Sequence, residues 1–240
     1  NNVYAHVPDI NDFTRGLKKL LKPEGTITLE FPHIMKLLEL CQFDTIYHEH
    51  FSYLSLYSAS QVFKACGLRI YDVEELSTHG GSLRIYGCHE DDMRRTTNTL
   101  ADILSSERKF GLTSIDIYLQ FQSKVNKVKN DFLSFLIEQK KAGKIVVAYG
   151  AAAKGNTLLN YAGVKPDLLP VVYDAAASKQ NKFLPGSHIP ILSPLGLKES
   201  HVDYVVILPW NISNEVISGH SHVIDGGGRF VVAVPTLTLL

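Results

Sequence analysis

Apolar positions in the first third of the chain alternate between helical and extended spacing. A helix is predicted after Asp9 or Asn11, because either side chain can cap it and apolar residues follow at helical intervals. The β-branched, apolar run 26–31 predicts a strand whose carboxyl end carries His33 towards a cleft. Ser58 is predicted to cap a second helix. Two further strands are predicted, at 68–73 and 82–88.

The stretch from residue 90 to residue 142 has helical spacing throughout. Its longer helix is predicted to begin near Ser114 and to carry a single apolar seam. The seam consists of Tyr118, Phe121, Val125, Val128, Phe132 and Phe135. A seam of this kind must pack against something, and we interpret the helix as a connector within the chain. A homodimer seam stays open as the alternative, although we expect a monomer.

The last hundred residues predict a second α/β unit. A buried strand at 145–149 leads into a small-residue turn from Gly150 to Gly155 and then into a helix. Lys154 adds a cation at the start of that helix, and Asp174 ends the next predicted strand, 169–173. Nucleotide-binding folds hold phosphate and ribose in this way, but a tight connection without a ligand gives the same pattern. Strands are also predicted at 204–208 and 229–234, with a loop at 179–194.

These patterns predict an α/β fold in three parts. Residues 1–89 resemble the back half of a doubly wound sheet, residues 90–142 form a helical connector, and residues 143–240 form a Rossmann-like domain.

Composition narrows the class of protein only a little. The chain has 240 residues, of which 45% are hydrophobic, and its 24 basic residues balance 24 acidic ones. Such a balance gives no net field for nucleic acid, and no run reaches the ~20 apolar residues that span a bilayer. The 3 cysteines are isolated, which suggests neither a metal site nor a disulfide framework. We expect a cytoplasmic enzyme that binds neither nucleic acid nor a membrane.

The segment 47–53 concentrates chemistry that apolar periodicity does not explain. It contains two imidazoles, one carboxylate and two phenols. A carboxylate can hold a neighbouring imidazole in one tautomer as a base near neutral pH, and phenols can donate to an oxygen that gains negative charge. We interpret the segment as an acid/base site, with a solvated surface loop as the alternative.

Several motifs in the same order resemble the S-adenosylmethionine-dependent sugar C-methyltransferases, which act on nucleotide-linked keto-hexoses. The matching stretches are NNVYAHVP at 1–8, EFPH at 30–33, YHEH at 47–50, HGG at 79–81, YGAAAK at 149–154 and WN at 210–211. The resemblance implies three parts: a four-cysteine zinc domain, a class I methyltransferase domain and a nucleotide-binding-like domain. It places the start of this chain inside the second part.

The resemblance also implies that the cofactor-binding half lies outside these residues. A glycine-rich turn for the methionine end of S-adenosylmethionine, followed by an acidic residue for its ribose, is expected before Asn1. We therefore interpret the chain as the carboxy-terminal part of a larger enzyme whose zinc lies in another domain. Alone, it is expected to bind the cofactor poorly or not at all.

Roles for individual residues follow from the resemblance. In the family a base removes the proton next to a sugar ketone, and the carbon then takes a methyl group. His50 matches the proposed base, Glu49 its neighbour and Tyr47 a phenol near the sugar. Asn2 and His6 match residues that line the sugar pocket. Side chains alternate in an extended segment, so a contact between Glu49 and His50 requires a turn there.

Three other positions are candidate substrate contacts. His79 precedes two glycines that allow close approach of the backbone, although they equally suit a chain turn. Gly150 and Lys154 match the family's loop expected at the diphosphate of the nucleotide sugar. His48 stands where family members carry aspartate, so two imidazoles compete for the role of base, and we prefer His50.

Two other functions stay open. The second unit could bind a dinucleotide in an oxidoreductase or epimerase, with Asp174 on the ribose, although alanines replace the fingerprint glycines. Alternatively, the chain could be a catalytically silent module that only binds a nucleotide-linked keto-sugar.

Overall fold

A computed structural model describes residues 2–240. The chain divides into two compact units. The first unit comprises the residues up to Glu39 together with His48–Phe121, and the second comprises Leu40–Tyr47 together with Gln122–Leu240. Both units contain helices and strands, which confirms the predicted α/β class. The predicted boundaries near residues 89 and 142 stay a prediction.

The first unit packs helices against a three-stranded sheet. Its strands are β1 (Ile27–Pro32), β2 (Leu68–Leu76) and β3 (Ser82–His89). Its helices are α1 (Ile10–Leu20), α2 (Ile34–Glu39), α3 (Leu56–Ala65) and α4 (Asn98–Phe110), and α5 (Ile115–Lys141) begins in this unit and ends in the second. Short 3₁₀ turns occupy Tyr4–His6 and Thr78–Gly80.

Strand direction in this sheet follows from the connections. The order is β1-β3-β2, and β3 is antiparallel to both neighbours, so β1 and β2 run the same way. A crossover that includes α3 joins β1 to β2, as parallel strands require. The core contains Phe31, Phe63 and Leu68, each at 0% exposure. Both pairings in this sheet are antiparallel, and the doubly wound arrangement for residues 1–89 stays a prediction.

Helix starts in the first unit show one correct and one displaced prediction. The Asp9 carboxylate accepts from the amide of Asp12 and caps α1, as predicted. Helix α3 starts one turn before the predicted cap, because Ser55 is the N-cap. Ser58 is the third helical residue, and its hydroxyl completes a capping box with Ser55.

The second unit is built on a seven-stranded sheet in the order β10-β9-β8-β4-β5-β7-β6. The five inner strands are parallel and the two edge strands are antiparallel. The strands are β4 (Val146–Tyr149), β5 (Val172–Tyr173), β6 (Lys182–Phe183), β7 (Pro190–Leu192), β8 (Tyr204–Ile207), β9 (Arg229–Val232) and β10 (Thr238–Leu239). Its further helices are α6 (Ala153–Ala162), α7 (Leu195–Glu199), α8 (Ser213–Gly219) and α9 (His222–Asp225), and Phe43–Thr45 and Trp210–Ile212 form 3₁₀ turns.

Four predictions of secondary structure need correction. The strand predicted at 169–173 is limited to β5, because Pro170 cannot donate to a ladder. The loop predicted at 179–194 contains β6 and β7, which form an antiparallel edge. Helix does not begin at residue 90 but at Asn98. The predictions also missed α2 and β10.

The apolar seam of α5 is buried within the chain over most of its length. The buried residues of the helix are Val125, Val128, Phe132, Phe135 and Leu136. The role of a connector stays a prediction. Tyr118, near the start of the helix, is 37% exposed.

Candidate active site

A backbone contact holds the candidate base next to the start of the chain. The carbonyl oxygen of Ala5 accepts from the amides of Phe51 at 2.9 Å and Ser52 at 3.2 Å. Ala5 belongs to the 3₁₀ turn Tyr4–His6, whose Tyr4 ring lies in the core beside Phe31. The buried Tyr4 therefore holds Ala5 in place, and the two hydrogen bonds hold Phe51 and Ser52 against Ala5.

Three of the aromatic side chains predicted to carry chemistry come together there. The ring centroids of His6 and His50 are 4.8 Å apart in an edge-to-face arrangement, and those of His50 and Tyr53 are 5.9 Å apart. His50 is half-buried, whereas Glu49 and His48 are exposed. Exposure thus distinguishes the two competing imidazoles. A turn occupies residues 48 and 49, and a Glu49–His50 contact stays a prediction.

Asn2 and His79, predicted as sugar contacts, are hydrogen-bonded to one another. The Asn2 side-chain nitrogen lies 2.8 Å from Nε2 of His79, and an amide nitrogen can only donate. The carbonyl oxygen of the same amide, Oδ1, is buried and lacks a hydrogen-bond partner among the described residues. A buried acceptor of this kind is costly unless something donates to it.

The turn that carries His79 is shaped by close packing. His79 has a φ of 56°, and Gly81 has a φ of 118°. A Cβ on Gly81 would lie 2.6 Å from the Lys36 side chain. The glycine is therefore needed by the turn itself, as the alternative interpretation of the sequence held.

Beneath this turn lies an ion pair that the sequence did not indicate. Glu30, at 5% exposure, accepts from Arg84 and from the Thr78 hydroxyl, each at 3.0 Å. Burial pushes the pKa of Glu30 up, but these hydrogen bonds outweigh it, and the pKa is lowered overall. The Glu30 carbonyl also accepts from the amide of Asn2 at 3.0 Å. Glu30 therefore supports both sides of the Asn2–His79 contact: its backbone carbonyl accepts from Asn2, and its carboxylate accepts from Thr78, which precedes His79.

His33 does not lie in a cleft as predicted. It is 1% exposed, and its Nε2 lies 2.8 Å from the Glu107 carboxylate. The same carboxylate accepts from the amides of Leu56 and Tyr57, the first two residues of α3. An anion at a helix start satisfies its unpaired amides, so this pair joins α4 to α3 and to the end of β1.

In the second unit, the glycine turn after β4 is closed by its own protein. Gly150 has a φ of 93°, and a Cβ there would lie 2.4 Å from Pro209. The next amide, of Ala151, donates to Asp174 at 2.7 Å. Asp174 also accepts from the Ala176 amide at 2.8 Å and from Lys179 at 3.2 Å. Asp174 is therefore occupied by the protein and is not presented to a ribose.

Lys154, the candidate phosphate contact, lies in a partly buried cluster. Its ammonium donates to the Asn211 side chain at 2.9 Å and lies 4.2 Å from the ring centroid of Trp210. Burial lowers the pKa of Lys154, and nearby Asp44 offsets part of that effect. The charge is held at the start of α6, where a further anion would be favoured.

Asp44 is a member of this cluster that sequence reasoning missed. It is 0% exposed, and one of its oxygens, Oδ2, accepts from the Trp210 indole nitrogen at 2.7 Å. Burial raises the pKa of Asp44 to about 6, although Trp210 and Lys154 act in the opposite direction. Tyr47, three residues later, is half-buried and belongs to the same unit.

An α/β fold with a polar cluster of imidazoles, amide and phenol is typical of an enzyme, and comparison with known proteins identifies the class. The chain belongs to the C-methyltransferase family, because a family model described as the C-methyltransferase C-terminal domain matches residues 77–235. C-methyltransferase NovU of Streptomyces niveus is 36% identical over 232 residues, covering 97% of this chain and 55% of that relative. The chain therefore spans about half the length of the relative.

The glycine turn of the second unit does not fit S-adenosylmethionine. In the part of the chain that the structure describes, the turn at Gly150 has its Ala151 amide and its following acidic residue, Asp174, bonded to each other. Neither group is left for the methionine end or the ribose of S-adenosylmethionine.

No helix among residues 2–240 is long and apolar enough to cross a membrane.

Proposed function

We propose that this chain is the sugar-binding and proton-removing part of an S-adenosylmethionine-dependent enzyme that methylates the carbon next to the ketone of a nucleotide-linked keto-hexose. The observation that carries the proposal is the cluster formed by His6, His50 and Tyr53, with rings 4.8 Å and 5.9 Å apart. Membership of the C-methyltransferase family supports the reaction type.

His50 is the proposed base. Its exposure is intermediate, so the ring is accessible and yet partly shielded from water. A neutral imidazole takes the proton from the carbon, the carbon–hydrogen electron pair moves into the carbon–carbon bond, and charge collects on the keto oxygen. The resulting enolate carbon is the nucleophile for methylation. His6 lies against the His50 ring and is proposed to keep it oriented.

Charge on the keto oxygen requires donors. Tyr47 is proposed for this role from the sequence, and a phenol suits it because it can donate without carrying charge. The buried Oδ1 of Asn2, which lacks a partner among the described residues, is proposed to accept from a sugar hydroxyl. His79 fixes the orientation of that amide by accepting from its nitrogen.

Lys154 is proposed to bind the nucleotide part of the substrate, and Gly150 is proposed to shape the turn beside it. The ammonium of Lys154 donates to Asn211, which leaves donors for a diphosphate oxygen. S-adenosylmethionine supplies the methyl group when bound. Zinc is proposed to bind in a separate domain, as the resemblance to the family implies. The dinucleotide alternative is weakened, because Asp174 is occupied by backbone amides.

Methyl transfer by the full-length protein tests the proposal directly. Incubation with S-adenosylmethionine and a panel of nucleotide-linked keto-hexoses should add one methyl group to a sugar carbon next to the ketone, observed by mass spectrometry and NMR. Calorimetry with the same sugars and with a nicotinamide dinucleotide provides the comparison. Tight binding of the dinucleotide, with no binding or methylation of any keto-sugar, would favour the alternative.

A further inference from the structure

A short segment that precedes the candidate base belongs to the second unit, although the chain on either side of it belongs to the first. This segment, residues 40–47, is called the strap. Its central 3₁₀ turn, Phe43–Thr45, is buried. The Phe43 ring lies 5.4 Å from the ring of Tyr161 on α6, and Tyr161 is hydrogen-bonded to Asn126 of α5 at 2.6 Å. The strap therefore packs on α6, which Tyr161 links to α5.

One polar contact in the strap is more specific than this packing. The Asp44 carboxylate, at 0% exposure, accepts from the Trp210 indole at 2.7 Å across a sequence separation of 166 residues. Trp210 lies in the turn that follows β8, and the Lys154 ammonium covers its ring. The indole is therefore held from two sides, which fixes the direction of its N–H.

Loss of either partner leaves a buried polar group unpaired. The second oxygen of Asp44, Oδ1, is already buried without a hydrogen-bond partner among the described residues. Without Trp210 the Oδ2 oxygen would lose this donor, and without Asp44 the indole N–H would have no acceptor in this contact. A buried group left unpaired in this way costs roughly 1–3 kcal/mol.

The strap ends where the acid/base segment starts. Tyr47 is the last residue of the strap, and His48 is the first residue of the following part of the first unit. His50 is therefore three residues along the chain from a segment whose position is inferred to depend on Asp44. Small displacements of a base are costly: about 1 Å can reduce a rate about a hundredfold.

We infer that Asp44 and Trp210 are positioning residues whose hydrogen bond fixes the strap and thereby the start of the Tyr47–His50 segment. The inference rests on the proposed function for its catalytic meaning, but the hydrogen bond itself can be tested without any activity. It assigns no chemical step to either residue.

Amide hydrogen exchange of three variants tests the hydrogen bond. Trp210→Phe and Asp44→Leu remove the donor and the acceptor, whereas Asp44→Asn keeps an acceptor of the same shape. We expect exchange of the strap amides, including Thr45 and Ile46, which bond within the turn, to rise about ten- to a hundredfold in the first two variants. In Asp44→Asn the strap amides should exchange about as slowly as in the wild-type protein.

Asp203→Asn is the matched control. Asp203 also holds a backbone amide and a lysine, but it lies before β8, whereas Trp210 lies after it. Strap amides should be unaffected in this variant. If one of the three Asp44 or Trp210 variants does not fold, protection of β4 amides shows it, and the remaining variants decide. Unchanged strap exchange in a folded Trp210→Phe or Asp44→Leu protein overturns the inference.

Steady-state kinetics of methyl transfer in the full-length protein test the positioning role. Trp210→Phe should lower kcat about tenfold or more with KM within about twofold, and Asp44→Asn should stay near wild type. If the strap loosens and kcat does not fall, the positioning role is wrong although the hydrogen bond is real. If the wild-type protein transfers no methyl group to any keto-sugar, the proposed function fails instead, and amide exchange still decides whether Asp44 holds the strap.

Discussion

The two units differ in whether the polar atoms of their candidate ligand sites have hydrogen-bond partners within the protein. In the second unit, the carboxylate of Asp174 accepts from the amides of Ala151 and Ala176 and from Lys179, so a motif that resembles a nucleotide turn is closed by the protein itself. In the first unit, Asn2 keeps a buried oxygen without a partner in the described part of the chain, beside His79. The comparison teaches that the partners of a motif, more than its sequence, decide whether it can take a ligand.

The largest expected effect tests whether the first unit carries the chemistry. His50→Asn in the full-length protein should lower the turnover of methyl transfer by about two to four orders of magnitude, because the proposed base is lost, while the affinity for the sugar changes little. Steady-state kinetics and calorimetry measure the two quantities separately.

His48→Asn is the matched control, since His48 is an exposed imidazole two residues away. It should retain most of the wild-type turnover. A near wild-type rate in His50→Asn together with a large loss in His48→Asn would transfer the role of base to His48.

The second prediction tests whether the turn of the second unit is closed by packing. Gly150→Ala should reduce the free energy of unfolding by roughly 2–4 kcal/mol, because φ is 93° and the new Cβ would meet Pro209 at 2.4 Å. Gly163→Ala is the control, since Gly163 has a φ of 69° but nothing within 4 Å of its Cβ site. Urea unfolding should show a smaller loss there, and equal losses would mean that Pro209 yields to the side chain.

A third prediction uses two carboxylates of the second unit with opposite pKa shifts. Burial raises the pKa of Asp44 from 3.8 to about 6, so the folded state binds the extra proton, and stability from this group falls as pH rises from about 4 to about 6. Asp44→Asn should therefore gain stability relative to wild type over that window, by about 1–3 kcal/mol at most.

Asp203 should behave in the opposite way. The amide of Ile145 and then Lys144 lower its pKa, so its contribution to stability is present at neutral pH and is lost as pH falls through the lowered pKa. Asp203→Asn should thus lose stability relative to wild type as pH rises. Urea unfolding across pH 3 to 8 measures both differences, and slopes of the same sign would contradict the assignment.

The smallest expected effect tests the remaining ligand role in the second unit. Lys154→Ala should weaken binding of the nucleotide sugar by about tenfold, as expected for loss of one charge-assisted phosphate contact. Lys127→Ala is the control, because Lys127 is exposed and paired with Asp131. Calorimetry that shows equal affinity for the two variants would make Lys154 purely structural, through its contacts with Asn211 and Trp210.

Local signals predicted most of the secondary structure. Strands β1 and β3 lie within one residue of their predicted positions, because their β-branched and apolar runs are bounded by turn residues. Strands β6 and β7 were missed, since a segment rich in proline and glycine still forms short edge pairs when β5 offers a partner. The displaced start of α3 has a similar cause: Ser55 and Ser58 both suit a cap, and Glu107 holds the amides at the observed start.

The residues of the candidate sites also divide into those that the sequence indicated and one that it did not. The order of motifs indicated Asn2, His6, His50 and His79, and the structure pairs Asn2 with His79 and His6 with His50. Asp44 could not be found from its local sequence, because its partner Trp210 is 166 residues away. Only tertiary packing turns an ordinary aspartate into a buried acceptor.

Exchange of the sugar proton with solvent tests the central claim without methyl transfer. The full-length protein is incubated in D₂O with a nucleotide-linked keto-hexose that it methylates, but without S-adenosylmethionine, and deuterium at the carbon next to the ketone is followed by NMR. The account predicts exchange catalysed by the wild-type protein and a loss of about a hundredfold or more in His50→Asn. Exchange that persists at the wild-type rate in His50→Asn would contradict it.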